Sequence, residues 1–143
     1  MTRIAILLAT AALVGCGDDD DGGTTTPTNV SGTYNLTLVN GAAPPGTTEI
    51  IAGGGRVEIT SATMVLRDNQ TYTETINSRT VPASGAATTA TQTENGSYAI
   101  NGNTIIFTLA ATTTAPPFSY EGTITGNTLT YTFAGTAITY TKQ

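Results

Sequence analysis

From Val30 to the C-terminus the large side chains of this chain keep a period of two. Tyr34, Leu36 and Leu38 alternate with Asn35 and Thr37, and the same spacing returns in Tyr98 and Ile100, in Ile105, Phe107 and Leu109, in Leu129, Tyr131 and Phe133, and in Ile138 and Tyr140. Successive side chains of a strand point to opposite faces, so this pattern describes strands with one buried face. All six tyrosines and all three phenylalanines fall on the faces read as inward. The opposite faces carry Thr73, Thr75, Thr108, Thr123, Thr125, Thr130, Thr132, Thr139 and Thr141. Threonine is β-branched and suits the exposed side of a pleated sheet. No sustained period of 3.6 follows residue 16, so almost no helix is expected.

The strands are separated by turn signals. A first strand is predicted over residues 31–39, followed by a loop at 40–46 with two prolines and a short strand at 49–52. Gly53-Gly54-Gly55 is a turn or bend; no helix and no Lys-Ser/Thr follows it, so it does not read as a phosphate loop. Val57 and Ile59 share one parity and Met64 and Leu66 the other, which implies a β-bulge or break near residues 61–63. Asp68-Asn69-Gln70 turns the chain into a strand with Tyr72 and Ile76 inward. Residues 78–94 hold few large apolar groups and read as a mobile loop or hairpin rim, with a poorly packed strand near 86–93. Phe118, Tyr120 and Ile124 form a further strand. Gly102-Asn103, Gly126-Asn127 and Gly135-Thr136 supply the positive φ that a two-residue hairpin needs. Residues 100–110 repeat as 124–134, through duplication or because successive hairpins of one barrel impose the same pattern; two copies do not make a solenoid. The sum is an all-β domain of about eight or nine strands, closed as an antiparallel up-and-down barrel because closure removes exposed edges. The alternative is a two-sheet β-sandwich.

The N-terminus is laid out differently. Arg3 precedes an apolar run at residues 4–14, too short for a bilayer span of about 20 residues, and Gly15 is a small residue before the lone cysteine, Cys16. Leu13-Val14-Gly15-Cys16 resembles the bacterial lipobox. That resemblance implies a signal peptide over residues 1–15, cleavage after Gly15, a diacylglyceryl group on the Cys16 thiol and acylation of the new amino group. Two or three acyl chains hold firmly where one holds only marginally. Residues 16–29 then form the lipidated cysteine and an acidic, Thr-Pro-containing tether that cannot bury enough apolar surface to order itself. The Asp18–Asp21 run is a solvated spacer, or resembles the export signals of surface-exposed lipoproteins. Gly17, in place of the aspartate that marks inner-membrane retention in some bacteria, leans towards the outer membrane of the cell envelope.

Charge and composition exclude several functions. The formal charge of the 143-residue chain is −5, and four of its ten acids sit in the tether, so the domain lacks a basic surface for nucleic acid. There is no histidine, and the one cysteine is consumed by the lipid. Ser-His and Cys-His nucleophiles, His or thiolate metal sites and an internal disulfide are therefore excluded, and no cofactor is implied. The chain is expected not to be an enzyme.

Gly32-Thr33-Tyr34, Gly96-Ser97-Tyr98, the Gly-Asn-Thr hairpins and the closing Tyr140-Thr141-Lys142 resemble bacterial lipocalin-like lipoprotein domains. The resemblance spans about residues 31–142 of a domain placed at 30–143 and implies a barrel that binds a small apolar molecule. The sequence departs from true lipocalins in having no tryptophan, disulfide or C-terminal helix. Tyr34, Tyr72, Tyr98, Tyr120, Tyr131 and Tyr140 either line such a pocket or fill a small barrel. Glu74 shares the parity of Tyr72 and Ile76 and should face the interior or its mouth, unless it lies at a wet rim or the strand slips by one. Arg67 and Arg79, its nearest cationic candidates, have the opposite parity. A filled barrel would instead suit a structural or protein-interaction role, with the partner face on loops 40–55 or 78–94.

Overall fold

A computed structural model describes residues 29–110 and 116–143, and every regular element among them is a β-strand. The strands are β1 (Gly32–Val39), β2 (Gly46–Ile51), β3 (Gly55–Leu66), β4 (Thr71–Val81), β5 (Thr88–Asn101), β6 (Thr104–Leu109), β7 (Phe118–Thr125), β8 (Thr128–Phe133) and β9 (Thr136–Lys142). Residues 1–28, on which the expected signal peptide, Cys16 and all but the last residue of the expected tether fall, lie outside the described residues.

Neighbouring strands from β3 to β9 pair antiparallel in chain order, and β1 pairs with both β9 and β3. The wall thus closes through eight strands, β1 and β3–β9. No two-sheet sandwich forms. β2 is a ninth strand laid along the first half of β3, from the Gly46–Ile59 pair to the Ile51–Gly55 pair. β3 serves two neighbours in succession, because its second half, from Thr63 to Leu66, pairs with β1. The register break that allows this lies between Ile59 and Ser61, slightly earlier than the parity change in the sequence suggested. It leaves Val57 and Ile59 on the inside together with Ala62, Met64 and Leu66.

A second bulge was not expected. The β1–β9 register shifts between Leu36 and Leu38, so Leu38 turns outward and Val39 takes the buried position. Val39-Asn40-Gly41-Ala42 then forms a tight turn with Asn40 at φ 51° and Gly41 at φ 81°, bonded in both directions between Val39 and Ala42. Residues 78–94 are also more regular than expected. β4 runs on to Val81 and β5 starts at Thr88, in unbroken register from Thr80–Thr88 to Thr71–Ser97. Threonine-rich sequence is sufficient here because the ladder is made by the backbone.

The closed wall has one dry side. Tyr34, Met64, Leu66, Tyr72, Tyr98, Ile105, Phe107, Ile124, Leu129, Tyr131, Ile138 and Tyr140 are buried in one cluster. The outer faces carry cross-strand polar pairs, such as Thr73 Oγ1 to Asn95 Oδ1 at 2.8 Å and Thr108 with Ser119 at 3.0 Å. Phe118 and Phe133 have inward parity but stay 52% and 47% exposed, since each sits where its strand reaches the rim. The repeated stretches become the adjacent β5–β6 and β7–β8 hairpins. Their tips, opened by Gly102 and Gly126 at φ 59° and 58°, lie at the same end of the barrel. The N-terminal residues reach that end too: Tyr34 donates its hydroxyl to the Val30 carbonyl at 2.7 Å, and the Lys142 ammonium donates to the Asn29 carbonyl at 2.9 Å.

Candidate functional site

The interior divides into a packed half and a hollow half. At the end holding the β3–β4, β5–β6 and β7–β8 turns, side chains fill the lumen. Phe107 is the hub. Its ring meets Tyr72 edge-on at 4.9 Å, stacks on Tyr120 at 5.1 Å and meets Tyr131 at 6.2 Å. Such pairs contribute about 0.5–1.5 kcal/mol each beyond their buried area. Glycine makes the packing possible at one point: a methyl group on Gly96 would lie 2.7 Å from the Tyr72 ring and 2.3 Å from the Thr108 carbonyl oxygen. Tyrosine hydroxyls at this end cap turn carbonyls, as Tyr98 does with Arg67 at 2.7 Å. The Tyr72 hydroxyl is the exception. It lies near that of Tyr120 but has no partner in hydrogen-bond geometry.

Towards the opposite end the aromatic floor gives way to a cavity of about 530 Å³. Glu74, Tyr120 and Tyr131 line its base. Val57, Ile59, Ile76 and Ile138 line its sides, and Thr48, Glu49, Ser78, Gln92, Glu94, Phe133, Ala134 and Thr136 lead to the mouth. The volume lies in the range of small-molecule sites, which run from about 300 to 1,000 Å³. Its making follows from side-chain size. The bulky residues crowd into the halves of the strands nearest the floor, whereas the mouth-facing halves of β3, β4, β5 and β9 offer Val57, Ser78, Gln92 and Thr136.

Glu74 is the chemical centre of this site. It is 1% exposed and faces the lumen, as its parity indicated. Neither arginine reaches it. Arg79 donates to Glu58 Oε2 at 2.5 and 3.0 Å, while Arg56 donates to Glu58 Oε1 at 2.6 Å. Arg67 bonds Thr73 on the outer face. The Glu74 carboxylate is held instead by two phenols: Tyr131 donates to Oε1 at 2.6 Å and Tyr140 donates to the same oxygen. Burial pushes its pKa above the ordinary carboxylate value; the Tyr131 and Tyr140 donors pull back, and the nearby Glu94 adds to the rise. Burial likewise raises Tyr120, Tyr131 and Tyr140, with the Glu74 charge as the next cause in each. Glu58 shows the contrary case. The Arg56 and Arg79 hydrogen bonds hold its carboxyl below the usual range, and their guanidinium groups, rather than the core, screen it from water.

Of the seven residues singled out by sequence, Glu74, Tyr120 and Tyr131 meet at the cavity. Tyr34, Tyr72, Tyr98 and Tyr140 lie in the packed part, and Tyr140 reaches the site through Glu74. Sequence reasoning missed Glu94, Ile138, Val57 and Thr136. Glu94 was recoverable in principle, because pairing β4 with β5 sets it directly opposite Glu74. The others depend on which end of the barrel stays open. Among the described residues no group of three His, Cys, Asp or Glu side chains is arranged to hold a metal ion. Compared with protein-family models, curated proteins and solved structures, the chain matches none.

Proposed function

We propose that this protein is a lipid-anchored binding protein of the bacterial envelope, not an enzyme, whose lipocalin-like barrel carries a small, largely apolar molecule. The observation that carries the reading is the cavity above the aromatic floor. Val, Ile, Phe, Ala and Tyr make up eight of its fifteen lining residues and polar or acidic residues the other seven, with Glu74 at the base and the rest towards the mouth, a mixed lining that suits an apolar body with a polar end. The lipobox-like Leu13-Val14-Gly15-Cys16 supports the anchor, and Gly17 supports the outer membrane. The chain enters the barrel at its packed end, so the expected tether would attach on the side opposite the mouth.

Displacement of the uncharged dye N-phenyl-1-naphthylamine from the purified full-length chain, alongside mass spectrometry of an organic-solvent extract, tests the binding reading. Dye bound and released by competitors, and lost in Ile76→Trp, which fills the cavity, is the expected result. No dye binding and an empty extract would overturn it. Metabolic labelling with a clickable fatty acid tests the anchor, which Cys16→Ser should abolish.

A second reading draws on Ile50, which is 71% exposed on β2 beside the mouth. It suits a protein partner seated on the rim, and photo-crosslinking from position 50 in cells would identify one.

A further inference from the structure

We propose that the cavity selects an organic cation: a molecule with a protonated amine seated over Glu74 and Glu94 and an apolar or aromatic body along Ile76, Ile138 and Tyr120. The inference rests on the binding reading above and specifies the charge of what is bound.

The charge distribution is the first argument. Three carboxylates, Glu49, Glu74 and Glu94, line the cavity, and no lysine or arginine among the described residues does. All four basic side chains of the domain are committed elsewhere, Arg56 and Arg79 to Glu58, Arg67 to Thr73 and Lys142 to the Asn29 carbonyl. Glu74 and Glu94 are directly opposed across the β4–β5 ladder. Like charges so placed repel, and a buried carboxylate without a counter-charge is costly. The barrel relieves this with neutral donors only, the two phenols on Glu74 and the Gln92 amide on Glu94 at 2.8 Å.

The second argument is directional. Both phenols converge on Glu74 Oε1, and no donor among the described residues reaches Oε2. An ammonium group brings three N–H donors and a positive charge, which answers both needs at once. The Tyr120 and Tyr131 rings, 5.2 Å apart and tilted by 54°, stand beside it, and aromatic faces attract cations. A divalent metal is a poorer match, since the acids do not form a ligand cluster. A fatty acid is poorer still, because its carboxylate would meet two others.

The test compares three molecules of similar shape by isothermal titration calorimetry on the full-length chain: phenethylamine, 2-phenylethanol and 3-phenylpropanoate. The amine should bind about tenfold or more tightly than the alcohol, as a charge-assisted contact implies, and the carboxylate most weakly. Glu74→Gln should remove the amine's advantage, so that this variant binds the amine no more tightly than it binds the alcohol, and near-ultraviolet circular dichroism reports whether its barrel is intact. If that variant does not fold, Glu94→Gln should weaken the amine severalfold, and an unchanged affinity overturns the proposal. Equal binding of all three, or preference for the carboxylate, overturns the charge selection and leaves the cavity as a binding site. Failure of all three together with the dye overturns both readings.

Discussion

Tyr131 and Glu74 stand 57 positions apart in the chain and meet inside the barrel, the phenol donating to the carboxylate at 2.6 Å. Their strands, β8 and β4, are not neighbours in the wall. The bond therefore spans the lumen, tying opposite sides of the barrel to each other and setting the base of the cavity.

Removing either donor should cost stability. Tyr131→Phe and Tyr140→Phe each leave a buried carboxylate short of one hydrogen bond, a loss of about 1.5–3 kcal/mol for a charged acceptor. Both phenols serve the same oxygen, so the double variant should not show additive losses. Urea denaturation of the four proteins of the cycle measures this.

The two structured carboxylates should bend the pH dependence of stability in opposite senses. Glu74 has a folded pKa raised above its reference of 4.5, so the folded state binds its proton more tightly than the unfolded state. Its contribution is fully present below pH 4.5 and is lost as pH rises through the folded value. Glu58 has a lowered folded pKa, so its contribution is present above 4.5 and is lost as pH falls through that lowered value. Glu74→Gln should flatten the decline on the higher-pH side, and Glu58→Gln the decline on the acid side. Urea midpoints taken between about pH 3 and 8 separate the two.

Gly96→Ala should be among the most damaging single-methyl changes in the barrel. The added carbon meets a backbone oxygen at 2.3 Å, and that oxygen belongs to the β5–β6 ladder and cannot swing aside. A loss of about 3 kcal/mol follows from overpacking of this kind. Thermal unfolding followed by near-ultraviolet circular dichroism reads it, since Tyr72 is the other group in contact.

The β8–β9 turn offers a gain. Ala134 sits at φ 47° ahead of Gly135 at φ 81°, a two-residue turn in which both positions are left-handed. Alanine pays a steric cost of roughly 1–2 kcal/mol there, and asparagine tolerates the conformation well. Ala134→Asn should stabilise by about 1 kcal/mol, a rise of roughly 4 °C in Tm for a domain this size. Differential scanning calorimetry checks it.

Much of this architecture was legible in advance where a short-range rule applied. Hairpin tips such as Gly102-Asn103 are local chemistry, and the inward faces of β6, β8 and β9 follow from a period of two. Reading failed where a bulge changed the phase without leaving a signature. Nothing in Leu36-Thr37-Leu38-Val39 says which of the last two side chains is buried, since both are large and apolar. The β4–β5 hairpin was underestimated because its threonines and alanines carry no hydrophobic pattern, although backbone pairing alone extends it. The same limit hid the site. Seven residues were singled out correctly as facing inward, but a face has two ends.

By itself the sequence determined the alternation, and with it a single dry surface of tyrosine, phenylalanine and isoleucine and the turns that fold it back and forth, and it left Glu74 between the interior and a wet rim. Those properties depend on neighbours one to four residues away. The closure of β1 onto β3, the hollow at one end, the pairing of Glu74 with Tyr131 and Tyr140 and the opposition of Glu74 to Glu94 were decided only in three dimensions. Each depends on register between distant strands, and a shift of one residue in any ladder exchanges the inner and outer faces.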